Sequence, residues 1–498
     1  MEKLQNNKAY KFLFWTFIII SILHIIYATI TMRGLYEDGS FYCIRLLDNI
    51  SNGLFEFVID EEHPRKMALI ITQFPMLLLG NLGINNKYLL IQIYSCTQFL
   101  FPFLALLWNF NLTKRTGRID VLFWSIFAYG ALLIPFSIFS VVESLLCGIL
   151  HFILWNYLVS DIDYKKRDIF AIIFLLIIMF GTYEYVALLG LIFFMAHYHY
   201  LVNCKTSLKN QAVKVLIGLG SLGAAIYTII FMLNISGESG EIVRFLKEAY
   251  DFLPYIFNLN TLFTIATIIF LLIFAFVKKK ISLPILFIVV IIFVGLLTKM
   301  LLNQQSSVYP MWEQHLRTIP CWAFPLIFIS TNIKDMIVKI NETSLVNYTN
   351  LIIIVLICSI FQTFWQCVNT YYWDKNIQYM KTELQKEESF LYIPPKNESL
   401  SGFHNEELRR YIWHGAFTAT SILFSNNYEQ KNILMIYDEQ VDAGNVIDRK
   451  ALYVDNENKK FSAPFGVYID IKNKFWDLTK VAEALNKYNK ENNIETYR

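Results

Sequence analysis

Apolar stretches long enough to cross a bilayer recur along this chain, each set off from the next by polar or charged residues. A spanning helix needs about 20 apolar residues, so repeated runs of that length leave few folds open. By that ruler the sequence predicts about eleven spans, near 10–32, 86–110, 119–139, 141–160, 168–181, 185–201, 212–234, 258–277, 281–302, 319–333 and 345–369. Of the 498 residues 55% are hydrophobic and 16% aromatic, more apolar surface than a soluble core of this size needs. The fold class expected is a polytopic α-helical membrane protein.

Two of these runs need a decision. The stretch 119–160 is too long for one helix at 1.5 Å per residue, and Pro135 and Glu143 lie near its middle, so a hairpin is expected there. The stretch 168–201 is interrupted by Gly181-Thr182-Tyr183-Glu184 and is read as a second hairpin.

Charge placement supports both fold-backs. With the N-terminus in the cytoplasm, inner loops hold Lys114, Arg115 and Arg118, then Lys165, Lys166 and Arg167, then Lys205, Lys209 and Lys214, then Lys278, Lys279 and Lys280, then Lys334 and Lys339. Short outer loops hold fewer cations, which is the positive-inside bias. Opening either hairpin would send the Lys278 cluster outside. Lys3, Lys8 and Lys11 precede the first run, which lacks a small-residue cleavage site and reads as a retained span.

The segment Met67 to Gly83 is apolar but short, with Gln73 and Pro75 inside it, and reads as a juxtamembrane or re-entrant helix within the first outer loop, 33–85. The transmembrane domain is expected over 1–369. Residues 370–498 are polar and mixed in sign, and fall outside the cytoplasm as a mixed α/β domain. Strand-like alternation appears over 431–437 and 465–471, and an amphipathic helix fits 474–489. No internal repeat is evident. The seven cysteines form no C-x-x-C pair and mostly sit in apolar runs, as packing residues do.

This topology gathers the scarce polar clusters on the outer face. Glu37 and Asp38 follow the first span within Arg33-Gly34-Leu35-Tyr36-Glu37-Asp38-Gly39-Ser40-Phe41-Tyr42. A carboxylate at a water–lipid boundary beside aromatic rings is partly desolvated, which raises its proton affinity and suits it to act as a general base. One of the pair could bind a divalent cation as a cofactor while the other does the proton work. Equally, the pair could simply mark the solvated end of a span.

Glu143 and Glu184 sit in tight apolar turns, where a charge is kept if it faces a polar cavity or a partner, although they could be plain turn residues in water. The loops His63-Pro64-Arg65-Lys66 and Trp312-Glu313-Gln314-His315-Leu316-Arg317 bring cations to the same face. Their Arg and Lys could hold a phosphate, bind anionic lipid headgroups, or pair with Glu61, Glu62 and Glu313. His63, Arg65, Glu143, Glu184, Glu313, His315 and Arg317 are the candidate substrate-binding residues. No Walker A loop, dinucleotide glycine motif, H-E-x-x-H or G-x-S-x-G occurs, and no nucleic-acid partner is expected.

An inner N-terminus, one span, an acidic pair in the first outer loop, a juxtamembrane helix, many further spans and an outer tail together resemble the GT-C class of membrane glycosyltransferases. Glu37-Asp38 matches the acidic motif of that class in type and position. The resemblance covers the layout of 1–370 and implies an inverting transfer of a sugar. The donor is a polyprenyl-phosphate carrier, and the acceptor is a hydroxyl on a glycan, lipid or protein outside the cytoplasm. It further implies Asp38 as base with Glu37 second, Arg65, His315 and Arg317 on the carrier phosphate, and Glu143 and Glu184 along the sugar pocket. An apolar groove between helices would hold the isoprenoid tail, and the protein would sit in the plasma membrane among its lipids. A transporter or flippase is the competing class. It expects charges near the bilayer midplane and symmetry between halves. A non-catalytic export scaffold is the third.

Overall fold

The computed structural model describes residues 7–36, 38–59, 64–133, 143–202, 207–235, 348–386, 391–392, 416–424, 433–434, 453–455, 460–463 and 467–491. The spans expected at 258–277, 281–302 and 319–333 lie outside the described residues, as do the Lys278 and Lys334 clusters.

Helix α1 (Lys8–Ile30) is capped by Asn7, whose side chain accepts from the Tyr10 amide. A short 3-10 turn, Arg33–Leu35, leads to α2 (Asp38–Ser51) and then to α3 (Lys66–Asn81). Helix α4 (Lys87–Thr116) closes on Gly117 in the left-handed conformation, with Lys114 and Arg115 in its last turn. Helix α5 (Ile119–Ile126) widens into a π-helical stretch over Phe127–Leu133, and α6 runs Glu143–Val159. Next come α7 (Lys166–Met179), α8 (Val186–Val202), α9 (Leu208–Ile235) and α10 (Tyr348–Lys386).

Among the described residues, four helices are long and apolar enough to cross a membrane: Lys8–Ile30, Lys87–Thr116, Leu208–Met232 and Leu351–Lys375. The segments within 119–130, 145–159 and 186–198 are apolar but shorter. The break expected near Gly181 is present, with α7 and α8 meeting at the 180–185 turn. Helices α5 and α6 both fall within the stretch 119–160, while 134–142, where the other fold-back was expected, lies outside the described residues.

Side-chain contacts give the helix directions. Along α1 and α4, Gly34 N–H donates to Ser95 Oγ at 3.1 Å, His24 meets Phe99 at 5.4 Å between ring centroids, and Phe14 stacks on Phe110 at 4.4 Å. The pair is therefore antiparallel. On α10, Trp373 Nε1–H donates to the Thr31 carbonyl at 2.9 Å, and Ser359 Oγ reaches the Ile126 carbonyl at 3.5 Å. Helix α10 thus runs the same way as α1. Helices α8 and α9 pack antiparallel through small residues: a methyl group at Gly190 would strike the Ser221 carbonyl, and one at Gly218 would strike the His197 ring.

One end of this bundle collects the cations expected in inner loops. Arg115 pairs with Asp168 at 2.7 Å, Lys214 with Asp161 at 2.9 Å, and Lys209 with Asp163 at 3.6 Å. Buried beside them, Asn156 Nδ2–H bonds Asn109 Oδ1 and Thr113 Oγ1, both at 2.9 Å. Among the described residues no disulfide occurs.

At the opposite end the tail folds back onto α2. Helix α10 continues to Lys386, well past the apolar limit at 369, because 370–386 holds no Gly or Pro to break it. The described tail holds β1 (Leu391–Tyr392), α11 (Ala416–Phe424), β2 (Ile433–Leu434), β3 (Tyr453–Asp455), β4 (Lys460–Ala463), β5 (Val467–Asp470) and α12 (Thr479–Glu491). Strands β3, β4 and β5 form one antiparallel sheet, and β1 pairs with β2 in parallel. Among the described residues no larger sheet occurs. Leu46 and Leu47 of α2 share an apolar core with Ile422 and Leu423 of α11, and with Ile469, Trp476 and Leu485 further along. Helix α12 starts later than the pattern over 474–489 suggested, because Asn473 Oδ1 accepts from the Phe475 and Trp476 amides and holds them in a turn.

Candidate functional site

The start of α3 is pinned to the turn between α7 and α8. Met67 N–H donates to the Gly181 carbonyl at 2.7 Å. Gly181 has φ of +78°, a conformation costly for any residue with a Cβ, so the glycine shapes this junction.

Arg65 immediately precedes α3 and lies against the same turn. Its Nε–H donates to Glu184 Oε1 at 2.7 Å, and its NH2 group is 2.5 Å from the same oxygen. NH1 faces Glu143 Oε2 at 3.4 Å, and the guanidinium sits 5.0 Å from the centre of the Tyr183 ring. Arg65 is 8% exposed, Glu143 2% and Glu184 9%. Burial works against the arginine's charge, but Glu184 and then Glu143 outweigh it and raise its pKa above the ordinary value.

One guanidinium and two ionised carboxylates leave a formal charge of −1. Glu143 is the first residue of α6, and Glu184 lies just before α8, where the Ala187 amide donates to its carbonyl. Both carboxylates therefore stand at helix N-termini, whose partial positive charge offsets part of the excess.

The place of this centre along the bundle follows from helix length. From Asp168, paired with Arg115 at the basic end, to Met179 at the end of α7 is 11 residues, about 16 Å of helix. A bilayer's apolar layer is about 30 Å thick. The three side chains thus lie at the far end of a helix that is shorter than such a layer is thick.

Of the residues singled out from sequence, the structure brings Arg65, Glu143 and Glu184 together. The pairing of Arg65 with carboxylates is present, with different partners from the neighbouring Glu61 and Glu62. Asp38 is the first residue of α2, and the Gly39 amide next to it donates to the Tyr36 carbonyl at 3.1 Å. Glu37, Glu61, Glu62, His63, Trp312, Glu313, Gln314, His315 and Arg317 lie outside the described residues.

Sequence reasoning passed over Arg33. It is buried, with its guanidinium 4.8 Å from the Tyr36 ring centre and 5.4 Å from that of Trp373. The signal was present in an arginine directly after an apolar run and next to aromatic residues, but its partner on α10 was not foreseeable. Asp48 was also passed over. It accepts from Asn473 Nδ2–H at 2.7 Å and from the Asp470 amide at 3.3 Å, and so ties α2 to the tail. Burial pushes its carboxyl up to about 6.

The fold defines a class: a largely α-helical protein whose four long apolar helices point to a membrane location. Comparison with protein-family models, with curated proteins and with solved structures finds no match.

Proposed function

We propose that this chain is a membrane glycosyltransferase of the GT-C type. It would move a sugar from a polyprenyl-phosphate carrier to a hydroxyl acceptor on the side of the membrane opposite its basic loops. The observation that carries the reading is the meeting of Arg65, Glu143 and Glu184 at the end of the bundle where Asp38 opens α2. In this reading the finer architecture is about eleven spans with a mixed α/β tail outside the cytoplasm, in the plasma membrane.

The chemistry assigned is an inverting displacement. The acceptor hydroxyl attacks the anomeric carbon, the bond from that carbon to the carrier phosphate oxygen breaks, and the hydroxyl proton passes to Asp38, with Glu37 as second candidate. His63, His315 and Arg317 take the phosphate as its charge develops. Three of Arg65's donor groups face carboxylates, so its role is to hold Glu143 and Glu184 in place. Those two carboxylates, with Glu313, accept bonds from sugar hydroxyls. A divalent cation, if used, would take oxygen ligands from the Glu37-Asp38 pair.

A flippase or export scaffold fits less well. Glu143 and Glu184 stand at helix N-termini, whereas a translocation path wants ionisable groups midway through spans. The deciding experiment is to incubate purified protein with a panel of polyprenyl-phosphate sugars and simple acceptors. Release of polyprenyl phosphate matched by acceptor glycosylation supports the reading. Movement of the intact carrier between leaflets with no sugar transfer replaces it with the flippase.

A further inference from the structure

The loop between α2 and α3, together with one face of α3, holds large apolar side chains away from every core. Phe55 is 47% exposed, Phe74 44% and Leu82 73%, and Leu54 and Leu78 are exposed as well. These residues form one surface. Phe74, Leu78 and Leu82 recur every four residues along one face of α3, opposite the buried face of Leu69, Gln73, Met76 and Gly80. Phe55 meets Phe74 at 6.1 Å and Phe57 at 5.7 Å, edge to face in both cases.

The loop that presents them is fastened at several points. Gln73 clamps the Val58 backbone on both sides, its Oε1 accepting from the amide at 2.9 Å and its Nε2–H donating to the carbonyl at 2.8 Å. Asn49 Nδ2–H donates to the Glu56 carbonyl at 3.0 Å, and Asn81 Nδ2–H to the Leu54 carbonyl at 3.4 Å. Rings held outward by fixed backbone are not a core awaiting collapse.

Height along the bundle says what covers them. The Thr72 carbonyl of α3 accepts from Thr97 Oγ1 at 2.7 Å. Thr97 lies 18 residues along α4 from Arg115 at the basic end, about 27 Å, so Phe74 stands near the outer edge of an apolar layer about 30 Å thick. The N-terminus of α3 is pinned lower still, on Gly181. Below it, α7 presents Phe170, Ile173, Phe174 and Ile177 outward, so the patch continues the exposed apolar face of the bundle.

We propose that Leu54, Phe55, Phe74, Leu78 and Leu82 form a lipid-inserting surface whose occupant is the hydrocarbon of the outer leaflet. It anchors the first outer loop at the level where aromatic rings are favoured, between acyl chains and headgroups. This does not depend on the transferase reading.

The test is photocrosslinking of the full chain in nanodiscs of a single phosphatidylcholine. A benzophenone side chain replaces Phe55, Phe74 or Leu78 in turn, and Lys487, an exposed residue of the tail helix, serves as the water-facing reference. Monodisperse elution shows that each variant folds. Lipid adducts roughly tenfold more abundant at the three apolar positions than at Lys487 are expected. Crosslinks to a second copy of the chain would overturn the proposal in favour of a protein interface. Yields equal to the Lys487 reference would overturn it in favour of a water-exposed patch.

Discussion

Arg65 and Glu184 lie 119 residues apart in the chain, yet the Nε–H of one donates to the Oε1 of the other at 2.7 Å. Glu143 completes the group from a third segment. A buried ion pair is costly to break and often cheap to replace, because a charge left alone keeps its desolvation penalty while an apolar substitute never incurs it. Arg65→Ala should therefore destabilise the protein by about 3–5 kcal/mol. The combined change Arg65→Met, Glu143→Leu and Glu184→Leu should recover most of that loss. Thermal unfolding in nanodiscs measures both. In the transferase reading the triple variant folds but does not turn over, whereas a purely structural triad would leave turnover intact.

Gly181 sets the geometry of that junction through a positive φ. Gly181→Ala should cost about 1–2 kcal/mol from the left-handed backbone alone. Gly181→Asn should cost less, since Asn tolerates this region better. Equal losses in denaturant titration would mean that contacts with the Lys66 side chain and Pro64 carbonyl, not backbone conformation, dominate.

The tail's attachment to α2 should depend on pH. Asp48 titrates at about 6 in the folded state against 3.8 ordinarily, with Asp470 and Lys460 the charged groups around it. A raised carboxyl binds its proton more tightly when folded, so its stabilising effect is complete below pH 4 and is lost as pH rises to about 6. The tighter proton binding amounts to about 3 kcal/mol. Asp477 acts in the opposite sense: Lys472 and then Thr479 hold it at about 2, so its contribution is present above 3.8 and lost as pH falls from there through about 2. Hydrogen exchange of 467–491 should be slowest near pH 4–5, after correction for intrinsic rates, and Asp48→Asn should flatten the rise toward pH 7. A flat profile in the unmodified protein would remove Asp48 from the docking.

Close packing of α8 on α9 supplies a further check. Gly190→Leu should force these helices apart and destabilise by about 1–3 kcal/mol, because overpacking strains a tight contact. Gly83→Ala, with nothing near a Cβ, should show only the cost of its positive φ. Thermal melts check this, and a Gly190→Leu variant as stable as the unmodified protein would argue against the tight crossing.

Helix existence was legible wherever apolar length decided it, as at α1, α4, α9 and α10. The break at Gly181 was legible from polar residues in an apolar run, and the basic end from lysine placement. What could not be read were meetings between distant segments. Nothing near Arg65 in sequence points to Glu143 or Glu184, and the alternatives it offered, a phosphate, anionic lipid headgroups, or Glu61, Glu62 and Glu313, included neither. Asp48 looked like an ordinary helix residue, because its partner Asn473 lies 425 residues away. The length of α10 beyond its apolar part was not legible either: hydropathy marks where apolar character stops, while helix continues until a breaker or competing contact ends it.

The most direct measurement is sugar transfer by the unmodified protein and by Asp38→Asn, prepared alike in nanodiscs and matched for thermal stability. The account predicts that a polyprenyl-phosphate sugar is consumed by the first and not by the second. Equal turnover by both, or no turnover with any donor alongside intact folding, would contradict it.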